Sequence, residues 1–224
     1  MGIRERQRRE RDAIRRDILD AARRLFLSEG YANVSMRKIA EQIEYSPGAI
    51  YSYFPGKDDI FLAIGEEGLQ QLRAHCAVSG NGTSYEKVRD AFWRLYTFSK
   101  AQPEYFSLIF VDRTVSRISR DWEQFASMRE LRDEIEREIQ HCIDEGLFPG
   151  AESPAQIFRI LWTAMYGTAV FRLSHRLSAN EDADALAHAM LETTLAGLHA
   201  GSDNGSVHDG DTHEVSHQIQ AKHS

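Results

Sequence analysis

Three groups of residues in this chain carry side chains suited to binding or reaction chemistry. In SPGAIYSYFPGKDDIF, residues 46–61, the hydroxyls of Tyr51 and Tyr53 and the ammonium of Lys57 follow a small-residue turn closely. Hydroxyls, an ammonium and exposed backbone N–H groups together suit phosphate oxygens. Upstream, Arg37 beside Lys38 offers a guanidinium fork that matches guanine bidentately. The third group is His208, Asp209, Asp211, His213 and His217, residue types that ligate metals but here without a pattern that fixes geometry. The stretch GAIYSYFPGK differs from a phosphate loop, because seven residues separate Gly48 from Gly56 and Asp58 stands where Ser or Thr would hold magnesium. Neither catalytic residues nor a cofactor or metal site is therefore expected.

The elements that must position these groups all read as helices. Ile14, Ile18, Ala21, Ala22, Leu25 and Phe26 recur at helical spacing, and Gly30 ends that helix. The arginines at 4, 6, 8, 9 and 11 precede it and read as a flexible arm able to enter a minor groove. Ser35 caps a short second helix carrying Ile39, Ala40 and Ile43, and Ser46 caps a third with Pro47 at its first position. FPGKDD breaks that helix and starts a fourth. Further helices are expected over 57–78, 84–100, 103–115, 118–145, 154–177 and 181–199, and no segment alternates with the period of a strand. The last 25 residues are polar and read as disordered.

Composition narrows the class. The chain has 224 residues, 42% hydrophobic and 27% charged, as in ordinary globular proteins. The longest apolar run, 157–173, is broken by Arg159 and Arg172, so no membrane span is expected. Two cysteines, Cys76 and Cys142, make no disulfide framework, and a reducing cytoplasm is the expected compartment. Net charge is −7, but residues 1–57 hold 12 Lys+Arg against 8 Asp+Glu. A basic head on an acidic body points to a polyanion at the head alone.

Three short helices, the last two joined by a tight turn, describe a helix-turn-helix. Its third helix would enter the major groove amino end first. Ser46, Pro47, Gly48 and Ala49 would form a narrow tip, Tyr51, Tyr53 and Lys57 would meet flanking phosphates, and Ser35, Arg37 and Lys38 would approach from the second helix.

Residues 15–61, RRDILDAARRLFLSEGYANVSMRKIAEQIEYSPGAIYSYFPGKDDIF, resemble the DNA-binding domain of the TetR/AcrR family of bacterial transcriptional regulators. The matching skeleton is A-x-x-L-F-x-x-x-G-Y, then VSMRKIA, YSPGAIYSYF and PGK. The resemblance implies an all-α homodimer with a small-molecule cavity behind the DNA-binding head. It also implies that Arg37, Pro47, Ala49, Tyr51, Tyr53 and Lys57 occupy positions that touch DNA. One departure stands in the turn, where Glu44 replaces the family's usual glycine. A positive φ there costs roughly 1 kcal/mol, and its carboxylate is expected to point to solvent.

These readings divide the chain into a head, 1–57, a helical ligand and dimerisation domain, 58–200, and a tail, 201–224. In the body, Trp93, Tyr96, Phe106, Phe110, Met128, Trp162, Met165 and Tyr166 would suit an apolar or aromatic effector, with His75 as a further polar contact. Packing as ordinary core is the alternative for each. The helix 154–177 is apolar nearly all round, so Ile157, Leu161, Ala164 and Thr168, with Leu191, Leu195 and Leu198, are expected at a dimer interface. The function expected is a repressor of a pseudo-palindromic DNA operator, released by a small molecule. The alternative is the same head controlled by a protein partner.

Overall fold

Between residues 3 and 29 the chain has neither glycine nor proline, and its amino end is rich in arginine, glutamate and glutamine. These straight-chain residues lose little freedom in a helix. In the computed structural model, which describes residues 2–78, 81–112, 125–178 and 180–205, they extend the first helix, α1, over Ile3–Glu29. The expected flexible arm is thus corrected to helix. Arg9 pairs with Glu5 at 2.9 Å and Arg8 with Asp12 at 3.9 Å, both one turn apart.

The chain falls into two units, one of Met1–Ala77 with Thr97–Leu131 and one of Val78–Tyr96 with Arg132–Ser224. In the first, α1 ends at Gly30, whose φ of +79° suits a residue without Cβ. A 3-10 turn, Tyr31–Asn33, leads to α2, Met36–Gln42, then α3, Pro47–Tyr51, and α4, Lys57–Cys76. Ile18, Ala22, Phe26, Ile39, Ile50, Phe54, Phe61 and Ile64 form their shared core. Tyr31 sits in it with ring centroids 5.2 Å from Phe26 and 5.4 Å from Phe61.

The sequence predicts one helix over 103–115. Instead α6, Pro103–Phe106, passes into a π-helical turn, Ser107–Val111, and Asp112 is extended. This wider turn lies against α4 where α4 carries no side chain. A Cβ placed on Gly68 would come within 2.6 Å of Tyr105 Cδ1 and of Ile109 Cδ1. Phe125 occupies the space over Gly65 in the same way, at 2.8 Å.

The second unit takes most of α5, Ser84–Ala101, the carboxyl part of α7, Ala126–Asp144, and the helices α8, Pro154–Leu173, and α9, Ala183–Gly205. Ser153 caps α8, accepting from the Gln156 amide at 3.2 Å, with Pro154 at the first position. α8 stops at Leu173, earlier than predicted, and His175 follows with φ +52°. The core holds Val88, Phe92, Leu95, Ile139, Phe148, Ile157, Leu161, Met165, Leu191 and Leu195. Burial pushes the Cys142 thiol up to about 12, with Glu145 and Glu138 adding to the effect. The predicted helix start at 118 and the terminal histidine cluster lie outside the described residues. The described residues are helical with no strand, and among them no helix is long and apolar enough to cross a membrane.

Candidate nucleic-acid interface

Ser35 Oγ accepts from the Lys38 amide at 3.2 Å and so fixes the start of α2. Arg37, in that first turn, is exposed. Its Nε donates to Glu41 at 2.8 Å, which raises its already high pKa and holds the side chain along the helix. The two terminal nitrogens remain available as a fork. Lys38 is engaged by Glu29 from the end of α1.

The turn between α2 and α3 is closed by Tyr45 N donating to Ala40 O at 2.9 Å. Glu44 makes this possible with φ +59°, and its side chain is exposed to solvent, as the sequence predicts. Ser46 then accepts from the Ala49 amide at 3.2 Å, and Pro47 opens α3. Ser46, Pro47 and Gly48 are exposed and Ala49 half-buried, while Ile50 anchors the helix in the core. Nothing lies within 4 Å of a Cβ placed on Gly48.

Past the tip, Tyr51 is 54% exposed. Tyr53 is half-buried, with the Arg11 guanidinium 5.6 Å from its ring centroid. Lys57 is half-buried; its Nζ donates to the Tyr31 carbonyl at 2.8 Å. Desolvation lowers its pKa. Local sequence gives no sign of the partners of Lys38 and Lys57, because both are distant in the chain. Two of the three cations read as DNA contacts therefore also tie the head together.

The residues read as an effector pocket divide between the units. Phe106, Phe110 and Met128 lie in the first, with Phe106 and Phe110 centroids 4.9 Å apart. There too, His75 Nε2 is 2.9 Å from Thr97 Oγ1. Trp93, Tyr96, Trp162, Met165 and Tyr166 lie in the second. Tyr96, fully buried, donates its hydroxyl to Asp184 at 2.8 Å. Burial, then this bond, pushes its pKa well up. Trp93 stacks on His188 with centroids 3.7 Å apart. Sequence reasoning missed Asp184 and His188, which face their partners across a long stretch of chain.

The residues expected at a dimer interface need correction as a face. Ile157, Leu161, Thr168, Leu191, Leu195 and Leu198 are buried within the single chain, and Ala164 is half-buried. α8 packs along α9, and the leucines are buried in the interior of the single chain. What remains outside is Ile160, Phe171 and Met190, at 39%, 45% and 39% exposure. Gln156, Arg159, Ile160, Thr163, Ala164 and Thr194 line an open groove on this face.

A capped, exposed recognition helix on a helical scaffold defines a DNA-binding helix-turn-helix regulator. Residues 18–64 match the family described as bacterial regulatory proteins, tetR family, and residues 90–194 match the tetracyclin repressor-like C-terminal domain. The chain belongs to the TetR family, whose members are transcriptional regulators and not enzymes. It is 38% identical over 68 residues to the HTH-type transcriptional repressor Rv1474c of Mycobacterium tuberculosis (strain ATCC 25618 / H37Rv). That match covers 30% of this chain and spans only 36% of that repressor's length. Over 193 residues it is 25% identical to the fatty acid metabolism regulator protein of Bacillus subtilis (strain 168), covering 81% of this chain and 94% of the relative. The solved structure of the regulator FadR from Bacillus subtilis, in complex with stearoyl-CoA, superposes with a TM-score of 0.66. At 19% identity, over 82% of this chain and 98% of that one, this is a likeness of fold.

Proposed function

We propose that this chain represses transcription as a dimer on a pseudo-palindromic operator, and that a small apolar or aromatic molecule releases it. The observation that carries the DNA part is the tip of α3. Gly48 has open space where a side chain would be, Ser46 and Pro47 before it are exposed, and Arg37 is exposed in the first turn of α2. Small residues there let backbone N–H groups approach the groove floor, while Tyr51, Tyr53 and Lys57 set register on phosphates.

A dimer offers two such tips about 34–36 Å apart, one turn of duplex. The exposed face of α8 and α9, with Ile160, Phe171 and Met190 among small residues, supports an isologous contact. For the effector, the aromatic content of the body favours an apolar ligand, and the fatty acid regulator among the relatives supports that class. The domain reading is a head, 1–57, an effector and dimerisation domain, 58–200, and a tail, 201–224, whose first residues continue α9 to Gly205. Coupling between effector and operator in such systems is about 1–3 kcal/mol and reciprocal.

Selecting bound duplexes from a randomised pool tests the reading. A two-fold symmetric consensus is expected, with binding that weakens as salt rises. Arg37→Ala should lose about 1–3 kcal/mol of discrimination at one base pair per half-site. No enrichment of any sequence over the starting pool would overturn the reading. Acyl-CoA thioesters and aromatic acids, added to the selected complex, then test the effector class by release.

A further inference from the structure

We propose that the amino-terminal half of α1 is a rigid cationic ledge that binds the phosphates flanking each operator half-site. This rests on the DNA-binding reading above and extends its footprint outward. With 3.6 residues per turn, Arg4, Arg8, Arg11 and Arg15 fall in one stripe along α1. Glu5 and Asp12 lie on the adjacent flank, with Arg9 and Arg16 beyond them, and Glu10 and Asp17 lie nearer the opposite side. The stripe therefore carries four guanidinium groups with no carboxylate among them, and Asp12 borders it beside Arg8.

The stripe begins at the candidate interface. Arg15 lies with its guanidinium carbon 4.9 Å from the Phe54 ring centroid, and Arg11 likewise 5.6 Å from Tyr53, a residue read as a phosphate contact. Gln7, Glu10, Arg11 and Ile14 share a shallow groove there with Ser52 and Tyr53. Beyond that point α1 has no further core. Residues 2–13 are all exposed, and the first buried residue is Ile18. A helix so exposed and so rich in arginine gains little from packing on its own domain, so a partner of opposite charge is the occupant its chemistry fits.

The dimensions agree. The eleven steps from Arg4 to Arg15 carry the stripe about 16 Å, the axial rise of about five nucleotides of one strand. Arg8, whose side chain is 84% exposed, meets Asp12 only at 3.9 Å, a distance that leaves its guanidinium available to a stronger anion. Because these contacts are to phosphates, they add affinity without reading sequence.

The test uses the full chain on two duplexes, one ending at the edge of the selected operator and one extended by about one helical turn on each side. Wild type should bind the long duplex more tightly and with a steeper dependence on salt. Arg4→Gln with Arg8→Gln should lose that advantage, flattening the slope of log K against log salt by about 0.9 per arginine per half-site. The same variant should bind the short duplex as wild type does. Arg9→Gln with Arg16→Gln, about a third of a turn round the helix from the stripe, is the matched control and should keep the wild-type slope on both duplexes. Circular dichroism checks that each variant keeps its helix. Equal wild-type slopes on the two duplexes, or an equal loss in the control, would overturn the ledge while the head reading stands. Failure of wild type to bind either duplex would defeat the DNA reading and the ledge with it.

Discussion

Lys57 Nζ donates to the carbonyl oxygen of Tyr31 at 2.8 Å and lies 4.1 Å from the centroid of the same residue's ring. Tyr31 in turn donates its hydroxyl to Asp58, the neighbour of Lys57. The start of α4 is thus clasped to the turn that precedes α2, and the recognition helix lies in the loop so closed. Lys57→Met keeps the aliphatic stem but removes the donor and the charge. It should lower head stability by about 1–2 kcal/mol, read from urea unfolding in the absence of DNA. A fully unchanged unfolding midpoint would show that the clasp contributes nothing.

Glu44 holds φ +59° in the turn before α3. Glycine adopts that backbone without the Cβ penalty, so Glu44→Gly should stabilise the chain by about 0.5–1 kcal/mol. It also removes a carboxylate beside the candidate interface, so operator binding should tighten. Thermal unfolding and a binding isotherm read the two effects separately.

Ser46→Ala removes the acceptor for the Ala49 amide at the head of a five-residue helix. A loss of about 1 kcal/mol in stability is expected. Because α3 has few other bonds of its own, operator affinity should fall with it. Ser46→Asp, which keeps a capping acceptor, should restore stability while adding a charge that weakens binding to DNA.

Gly68→Ala places a methyl where Tyr105 and Ile109 already stand, each with a carbon 2.6 Å from the new atom. Both side chains must move, and a destabilisation of about 1–3 kcal/mol is expected. An increase in melting temperature from better helix propensity would contradict this packing.

The start of α5 is held by a reciprocal cap. Thr83 N donates to Glu86 Oε2 at 2.9 Å, and Glu86 N donates to Thr83 Oγ1 at 3.2 Å. The backbone amide of Thr83, and then its hydroxyl, hold the Glu86 carboxyl below its ordinary range. The stabilisation is therefore present above the ordinary glutamate pKa and is lost as pH falls through the lowered one. The Thr83 amide shift, followed by NMR during acid titration, should report a midpoint below that of an exposed glutamate, and Glu86→Gln should remove the transition.

Much of the head was legible because its signals are local. Ser35, and Ser46 with Pro47, each bond within three residues, and Gly30 ends α1 where the sequence puts the stop. The start of α1 was not, because its first turns have no apolar period and rest on propensity and spaced charges alone. The Thr83–Glu86 cap is legible in sequence as T-x-x-E. The π-helical turn reads as ordinary helix in sequence, since its wider winding answers to the absent side chain on α4. On α8 and α9 the apolar residues were visible but not their faces. Which leucines turn inward is decided by the partner helix. The same holds for Asp184 and His188, whose partners are remote in sequence.

Both native thiols, Cys76 and Cys142, are sealed in the interior at 1% and 0% exposure. A cysteine introduced at exposed Ser52 would then be the single maleimide-reactive group on each copy of the folded chain. Spin or dye labels there would act as a molecular ruler between paired recognition tips, reporting their separation with and without effector and with no need to delete a native residue.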